Sequence, residues 1–211
     1  MKRRTVLIGA ALALGVGYFA YPLVDTYLAA NAIEQRMASE AKAIERQPIL
    51  QVAEGCFGCH GDGGKSKSDI YPSIAGHPKN YVAEQLRVYA DGSRSSPIMQ
   101  PLSLSLSDAE IDSLSSWFAA QDGPATKLQS VPQALATCTA CHGAGLEGSA
   151  DPGNPAPRLA GQGADYVRAQ LLLFRSGERA DPTGAMNTIA AVMAESDIDE
   201  AANALATANR R

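Results

Sequence analysis

The chain contains 211 residues, 45% of them hydrophobic, and carries a formal net charge of −4. That length gives room for one or two compact domains, and the hydrophobic share excludes a long disordered polymer. Because 18 basic residues stand against 22 acidic ones, no basic surplus exists to neutralise phosphates, and we expect no nucleic-acid partner.

The N-terminus has the pattern of a segment sent across a membrane. Residues 2–4 are basic, and an apolar run of 19 residues follows at 6–24. Roughly 20 helical residues span a bilayer, so this run is long enough to stay in the membrane. A small-x-small sequence suited to cleavage stands further on, at 30–32. Residues 1–30 are therefore predicted to be a signal peptide or an uncleaved membrane anchor, an N-terminal hydrophobic helix. In both cases the rest of the chain lies outside the cytoplasm.

The segment 31–47 mixes alanine with alternating acidic and basic side chains. Opposite charges three or four positions apart stabilise an exposed helix. Pro48 disfavours helical backbone at the preceding residue, so we expect the helix to end there. These residues are predicted to form a solvated helical linker.

The remainder of the chain is a duplication. The sequence CFGCH at 56–60 recurs as CTACH at 138–142, and further landmarks follow in the same order at offsets of 82 to 87 residues. The matched landmarks include Pro72 and Pro157, Tyr81 and Tyr166, Gln85 and Gln170, Arg94 and Arg179, and Met99 and Met186. Small drifts in the offset indicate short loop insertions. With a break at Asp122-Gly123-Pro124, the pattern predicts a first repeat at 48–123 and a second repeat at 124–211.

Each repeat has a helical pattern. Apolar spacing predicts helices at 80–91 and 164–176, the second closed by Gly177. The sequence SDAE at 107–110 is a capping box that opens a helix reaching Phe118. No segment alternates as a strand does, so the sequence predicts an all-α fold class.

The two C-x-x-C-H sequences are typical of covalent haem c attachment, in which both thiols bond to the porphyrin and the histidine binds the iron. A redox disulfide and a shared zinc site are the alternatives. A redox disulfide does not require a following histidine twice, and a shared zinc site does not require each cysteine pair in its own complete repeat. The predicted attachment residues are Cys56, Cys59, Cys138 and Cys141, and the predicted iron ligands are His60 and His142.

The opposite face of each iron needs its own ligand. Methionine is the usual partner of histidine in c-type cytochromes, and thioether ligation raises the potential. Met99 and Met186 align with each other, each expected in a loop before the last helix of its repeat. Met193 aligns with a leucine and fits a core position, whereas His77 aligns with a glutamine and fits a polar loop. A distal-ligand role for His77 stays an alternative.

Three pairs of residues are expected around the haem groups: Pro72 and Pro157, Tyr81 and Tyr166, and Arg94 and Arg179. The proline carbonyls are candidate acceptors for the second ring N–H of the ligating histidines, and loop stiffening is the alternative role. The arginines and tyrosines are candidate partners of the haem propionates, and solvated arginines are the alternative.

With these features the sequence resembles the dihaem cytochrome c4 family over about residues 48 to 200. The resemblance is carried by CFGCHG and CTACHG, PSIAGH and PRLAGQ, YVAEQL and YVRAQL, GSR and GER, and the methionine that follows. It implies two tandem class I cytochrome c domains packed together, electron carriage in the periplasm, and His/Met ligation at both irons. The implied ligand pairs are His60 with Met99 and His142 with Met186.

Two features depart from the family pattern. Glutamine is expected where His77 stands. The last helix commonly carries aromatic residues, and the first repeat has Trp117 and Phe118 there, but the second repeat has Ala204 and Leu205. This second departure leaves open how the terminal helix of the second repeat packs.

We therefore expect an electron-transfer protein with two covalently bound haem c groups, and not an enzyme. The expected donors are a quinol–cytochrome c reductase or a dehydrogenase, and the expected acceptor is a terminal oxidase of a respiratory chain. We expect the protein on the periplasmic side of the bacterial inner membrane, either anchored in the membrane or soluble in the periplasm. A dihaem subunit of a larger dehydrogenase complex is the first alternative. A dihaem peroxidase, which needs an open iron face, is the second.

Overall fold

The computed structural model describes residues 24, 26–39, 49–124, 128, 130–151 and 155–207. The chain divides into two compact units, Met1–Pro48 and Ile49–Arg211. Of the predicted signal or anchor segment, 1–30, residues 1–23 and 25 lie outside the described residues. Among the helices that are described, none combines the length and the hydropathy that a membrane crossing requires.

In the first unit, residues 26–39 form a helix whose side chains are almost all exposed. The predicted solvated helix at 31–47 is therefore present over 31–39. Its continuation at 40–47 lies outside the described residues.

The second unit contains two sets of helices in the same order. They are α1 (49–60), α2 (Lys79–Ala90), α3 (Met99–Leu104) and α4 (Asp108–Ala119), then α5 (Thr139–His142), α6 (Ala164–Ser176), α7 (Ala185–Val192) and α8 (Glu195–Thr207). Short 3-10 helices lie at Asp62–Gly64 and Gln133–Cys138. The described part of the chain contains no strand, and one isolated antiparallel bridge joins Ser149 and Ala156. The predicted all-α class is confirmed.

Local sequence signals set the helix ends. The capping box is formed: the Ser107 side chain accepts from the Glu110 backbone N–H, and the Glu110 carboxylate accepts from the Ser107 backbone N–H. Helix α6 covers the predicted residues and ends at Gly177, whose φ of 78° is left-handed and favours glycine. Helix α2 lies one residue earlier than predicted at each end.

Each repeat builds its own small core. In the first repeat α2 packs against α3 and α4, and Ala53, Leu114 and Phe118 are buried together. In the second repeat α6 packs against α7 and α8, and Leu135 and Leu205 belong to the buried cluster. Met193 packs against this second cluster, which matches the core position predicted for it.

Two coupled differences between the repeats explain how the last helix of the second repeat packs without aromatic residues. In the first repeat, a Cβ added to Gly64 meets the ring of Phe118 at 2.9 Å. In the second repeat Leu146 holds the corresponding position, and the smaller Leu205 replaces the phenylalanine; both leucines are fully buried. Leu146 keeps the left-handed backbone of its glycine counterpart, with a φ of 59° against 83°. Burial of the Leu146 side chain offsets that backbone strain.

Candidate functional site

Both C-x-x-C-H sequences are held at the ends of helical segments. The first closes α1 with His60, and the second runs from the 3-10 helix through α5 to His142. All four cysteines are unpaired thiols, and Cys59 and Cys141 are exposed. Burial raises the pKa of the Cys56 and Cys138 thiols. The thiols are thus free of disulfides and open to covalent attachment.

Each motif histidine is oriented by the peptide carbonyl that the sequence predicted as its acceptor. The Nδ1–H of His60 donates to the Pro72 carbonyl oxygen at 2.8 Å. The Nδ1–H of His142 donates to the Pro157 carbonyl oxygen, also at 2.8 Å. Burial lowers the pKa of both rings, so both stay in the neutral form that binds metals. With Nδ1 engaged, Nε2 is the nitrogen left to bind iron.

A cavity of about 330 Å³ lies where the two repeats meet. Both members of the predicted ligand pair, His142 and Met186, line it, as do Tyr81 and Gln85 of the first repeat. The lining is mainly apolar, with Val167, Leu171 and Phe174 among its residues. An apolar pocket that holds an imidazole and a thioether fits a haem with His/Met ligation.

The two candidate methionines lie in helices, which corrects the prediction of loops. Met99 is the first residue of α3, and Met186 is the second residue of α7. Side chains ahead of each helix hold its first turn. The Ser96 hydroxyl accepts from the Met99 backbone N–H, and the Asp181 carboxylate accepts from that of Met186. These bonds fix the backbone at the start of each helix, where the methionine stands.

Arg94 is buried, not solvated, and its guanidinium reaches across to the second repeat. It donates to Gln85 Oε1 at 2.5 Å in its own repeat, and to Gln170 Oε1 at 2.7 Å and the Tyr166 hydroxyl at 3.2 Å in the other. The guanidinium also lies 4.5 Å from the centre of the Tyr89 ring, at cation–π distance.

Arg179 makes the corresponding set of hydrogen bonds from the second repeat. It donates to Gln170 Oε1 at 2.6 Å in its own repeat, and to Gln85 Oε1 at 3.1 Å and the Tyr81 hydroxyl at 3.2 Å in the first. Its guanidinium lies 4.4 Å from the centre of the Phe174 ring. The solvated alternative is wrong for both arginines, and Gln85 and Gln170 point inward.

The paired guanidiniums create a buried positive centre. Burial alone would lower the pKa of Arg94, but Tyr166, Tyr81 and Tyr89 raise it, so the charge is kept. Within the described residues neither arginine forms an ion pair with a carboxylate. Buried charges are normally paired, so this centre fits an anionic group such as the carboxylates of haem.

His77 is buried at the contact between the two repeats. Its Nδ1 accepts from the Arg158 backbone N–H at 3.0 Å, and its Nε2 lies 3.0 Å from the Ser73 carbonyl oxygen. The ring also contacts the Tyr81 ring in a tilted arrangement, with 5.2 Å between ring centres and 39° between the planes. Both ring nitrogens are thus engaged in hydrogen bonds, which favours the polar-residue role over the distal-ligand alternative.

We expect His77 to make stability depend on pH. Burial lowers the pKa of His77 from 6.5 to about 4. The unfolded chain then binds more protons than the folded chain between these values, and stability falls as the pH drops from 6.5 towards 4. The loss is about 3 kcal/mol at most. Guanidinium unfolding of the holoprotein at pH 7 and pH 4.5 measures it. His77→Gln should show a smaller pH effect, and an equal effect in both proteins would contradict the assignment.

Comparisons with known proteins place this arrangement in a family, although no family model matches the chain. The thiosulfate dehydrogenase electron acceptor of Thiomonas intermedia is 33% identical over 73% of this chain and 78% of that protein. Cytochrome c4 of Pseudomonas aeruginosa is 32% identical over 68% and 78%. The chain belongs to the dihaem cytochrome c4 family. The solved structure of Acidithiobacillus ferrooxidans cytochrome c4 matches at 31% identity and a TM-score of 0.62, covering 72% of this chain and 98% of that one.

Family membership confirms the main sequence predictions. This member of the cytochrome c4 family is an electron-transfer protein with two covalently bound haem c groups, and its relatives are named as electron acceptors and cytochromes. The relatives do not favour a peroxidase or a subunit of a larger dehydrogenase complex. Their names also agree with the prediction that the protein is not an enzyme.

Hydrogen bonds that were not predicted from the sequence join the repeats at Ser73, His77, Arg158 and Gln162. The Gln162 side-chain amide donates to the Ser73 carbonyl oxygen at 2.7 Å, and its oxygen accepts from the Ser73 backbone N–H at 3.0 Å. The repeat alignment contains the signal, because Ser73 aligns with Arg158 and His77 with Gln162. Pairs of aligned buried residues are candidates for contacts across a pseudo-two-fold axis.

Proposed function

We propose that this cytochrome accepts electrons from a dehydrogenase, with thiosulfate dehydrogenase as the first candidate, and passes them towards a terminal oxidase. The name of the Thiomonas intermedia relative supports this donor. A quinol–cytochrome c reductase is the second candidate donor. The observation that carries the function is the duplicated hydrogen bond from each motif histidine to its proline carbonyl, because it prepares two metal-binding imidazoles in one chain.

We infer that the irons are ligated by His60 with Met99 and by His142 with Met186. Bound haem supplies one-electron redox chemistry, and the protein supplies ligation, burial and orientation. The peptide bonds at Pro72 and Pro157 fix the tautomer of each histidine. Helices α3 and α7 carry the methionines that would supply the second iron ligand. Cys56, Cys59, Cys138 and Cys141 provide the covalent attachments.

The buried arginines have a second role in this proposal. Arg94 and Arg179, with Tyr81 and Tyr166, would bind haem propionates. The negative charge of the propionates would neutralise the positive centre between the repeats. Each arginine bonds to both repeats, so it also ties one haem pocket to the other. This arrangement supports a fixed relation between two domains at 48–123 and 124–211.

A reduction experiment tests the proposed donor. The oxidised holoprotein is mixed with thiosulfate dehydrogenase and thiosulfate, and its absorbance is followed in a stopped-flow instrument. We expect full reduction of both haem groups, with thiosulfate alone as the unreactive control. Reduction by quinol and its reductase, but not by the dehydrogenase, would favour the second donor. Failure of both, with normal reduction by dithionite, would contradict the proposed route.

The N-terminal segment places the protein on the periplasmic side of the membrane in this proposal, with residues 1–30 as anchor or cleaved signal. Deleting residues 1–32 and adding a cleavable signal should release the holoprotein into the soluble periplasmic fraction. The full chain should stay with the membrane fraction because its apolar segment is long enough to span the bilayer. A full chain that is itself soluble would contradict the anchor and favour cleavage.

A further inference from the structure

We propose that each repeat tunes the iron-ligating histidine of the other repeat, through hydrogen bonds that His77 and Gln162 make to the peptide groups holding those histidines. The inference rests on the proposed ligation of the irons by His60 and His142. It makes His77 and Gln162 positioning residues for electron transfer.

The connection to His60 runs through one peptide group. The Pro72 carbonyl oxygen accepts the Nδ1–H of His60 at 2.8 Å. The N–H of the same peptide group belongs to Ser73, and it donates across the interface to Gln162 Oε1 at 3.0 Å. The ligand of the first repeat is therefore two hydrogen bonds away from a side chain of the second repeat.

The connection to His142 also runs through one peptide group, but the acceptor of the peptide N–H is an imidazole nitrogen instead of an amide oxygen. The Pro157 carbonyl oxygen accepts the Nδ1–H of His142 at 2.8 Å. The N–H of that peptide group belongs to Arg158, and it donates to His77 Nδ1 at 3.0 Å. Because His77 Nδ1 must accept, its proton is on Nε2, which donates to the Ser73 carbonyl oxygen. The imidazole is thus fixed in one neutral tautomer.

Burial makes these bonds effective. Ser73, His77 and Gln162 are at most 5% exposed, so water does not compete for their polar atoms. In such an environment, linked hydrogen bonds polarise one another. An acceptor on the peptide N–H places more negative charge on the peptide oxygen, and that oxygen then pulls more strongly on the histidine proton.

The pull changes the iron ligand in a defined direction. A stronger bond at Nδ1 raises the basicity of the ligand, and a more basic ligand stabilises the oxidised iron and lowers the potential. An imidazole nitrogen can take up a proton in the ordinary pH range and an amide oxygen cannot, so the imidazole is the far stronger base. The peptide group in the second repeat is therefore polarised more strongly than its counterpart. His77, which replaces the glutamine of the repeat pattern, lowers the potential of the haem on His142.

Reciprocal leucine variants of the holoprotein test the crossed effect. His77→Leu should raise the potential of the haem bound to His142, although His77 belongs to the first repeat. Gln162→Leu should raise the potential of the haem bound to His60. We expect each shift to be up to about tenfold in the reduction equilibrium, which is 59 mV for one electron. Redox titration followed by proton NMR of the haem methyl groups assigns each potential to its haem.

A second readout and a control separate tuning from structural damage. The Nδ1–H proton of His142 should move upfield in His77→Leu as its hydrogen bond weakens. Asn80→Ala removes another contact between the repeats, from Asn80 Nδ2 to the Ala150 carbonyl oxygen at 3.4 Å, which is not connected to either peptide group. This control should leave both potentials unchanged.

His77→Gln completes the test, because its amide can restore a bond to the Arg158 N–H as Gln162 does for Ser73. We expect a smaller rise in potential than in His77→Leu. Unchanged potentials in both variants, or a shift confined to the haem on His60, would overturn the proposal. If His77→Leu fails to retain haem, an unchanged potential in His77→Gln overturns it alone. Failure of the proposed ligation would instead appear in the parent protein, which would lack the thioether absorbance band.

Discussion

A Cys138→Ala/Cys141→Ala variant that is produced together with the cytochrome maturation system should carry one covalently bound haem instead of two. Both attachment thiols of the second repeat are then absent, whereas Cys56 and Cys59 of the first repeat remain. The cavity of about 330 Å³ lined by His142 and Met186 is then without the haem that we propose it holds. Small domains depend heavily on such additions to their cores, so we also expect a large loss of stability in this repeat.

Intact mass and pyridine haemochrome absorbance measure this first effect. The matched variant Cys56→Ala/Cys59→Ala should lose the other haem and keep the second. Single variants such as Cys138→Ala should attach haem poorly through the remaining thiol. Undiminished haem mass in the Cys138→Ala/Cys141→Ala variant would contradict the attachment sites.

Met186→His is the substitution with the largest expected effect on potential. The haem should stay attached, because its cysteines are unchanged, while bis-histidine ligation replaces the thioether. Thioether ligation raises the potential, so we expect a drop on the order of 0.1 V or more within the roughly 0.8 V range that axial ligands set. An absorbance band near the red edge of the visible spectrum reports ligation of haem iron by methionine sulfur. Its intensity should fall by about half, because one of the two methionine ligands is replaced.

Two further variants sharpen the test of this ligand assignment. Met99→His should lower the potential of the other haem in the same way. Met193→Leu is the control, because Met193 packs in the core of the second repeat and aligns with a leucine of the first. It should leave both potentials in place. An unchanged titration in Met186→His, or a large drop in Met193→Leu, would show that the ligand is wrongly assigned.

Much of the fold could be predicted because its signals are local. The capping box at Ser107 and the glycine at 177 act within a few residues of the helix ends that they set. The duplication added further predictions, because a feature found in both repeats is more reliable than one found in a single repeat. The short helices that carry Met99 and Met186 were predicted as loops, because six and eight residues are too few for a clear apolar period.

The contacts between the repeats could not be predicted in the same way. The inward direction of Gln85 and Gln170 depends on the phase of α2 and α6, and their partners in the other repeat lie 76 and 94 residues away in the chain. Likewise, His77 accepts from the Arg158 backbone N–H; the repeat alignment pairs the residues involved but does not show that this hydrogen bond forms. The packing of two repeats therefore had to be seen in three dimensions.

Proton NMR of the fully reduced holoprotein tests the central assignment most directly. A methionine methyl group bound to iron lies over the haem plane, and the ring current moves its resonance far upfield. Ligation by His60 with Met99 and by His142 with Met186 predicts two such three-proton resonances, one of which disappears in each methionine variant. A spectrum with one upfield methyl resonance, or with none, would contradict the account.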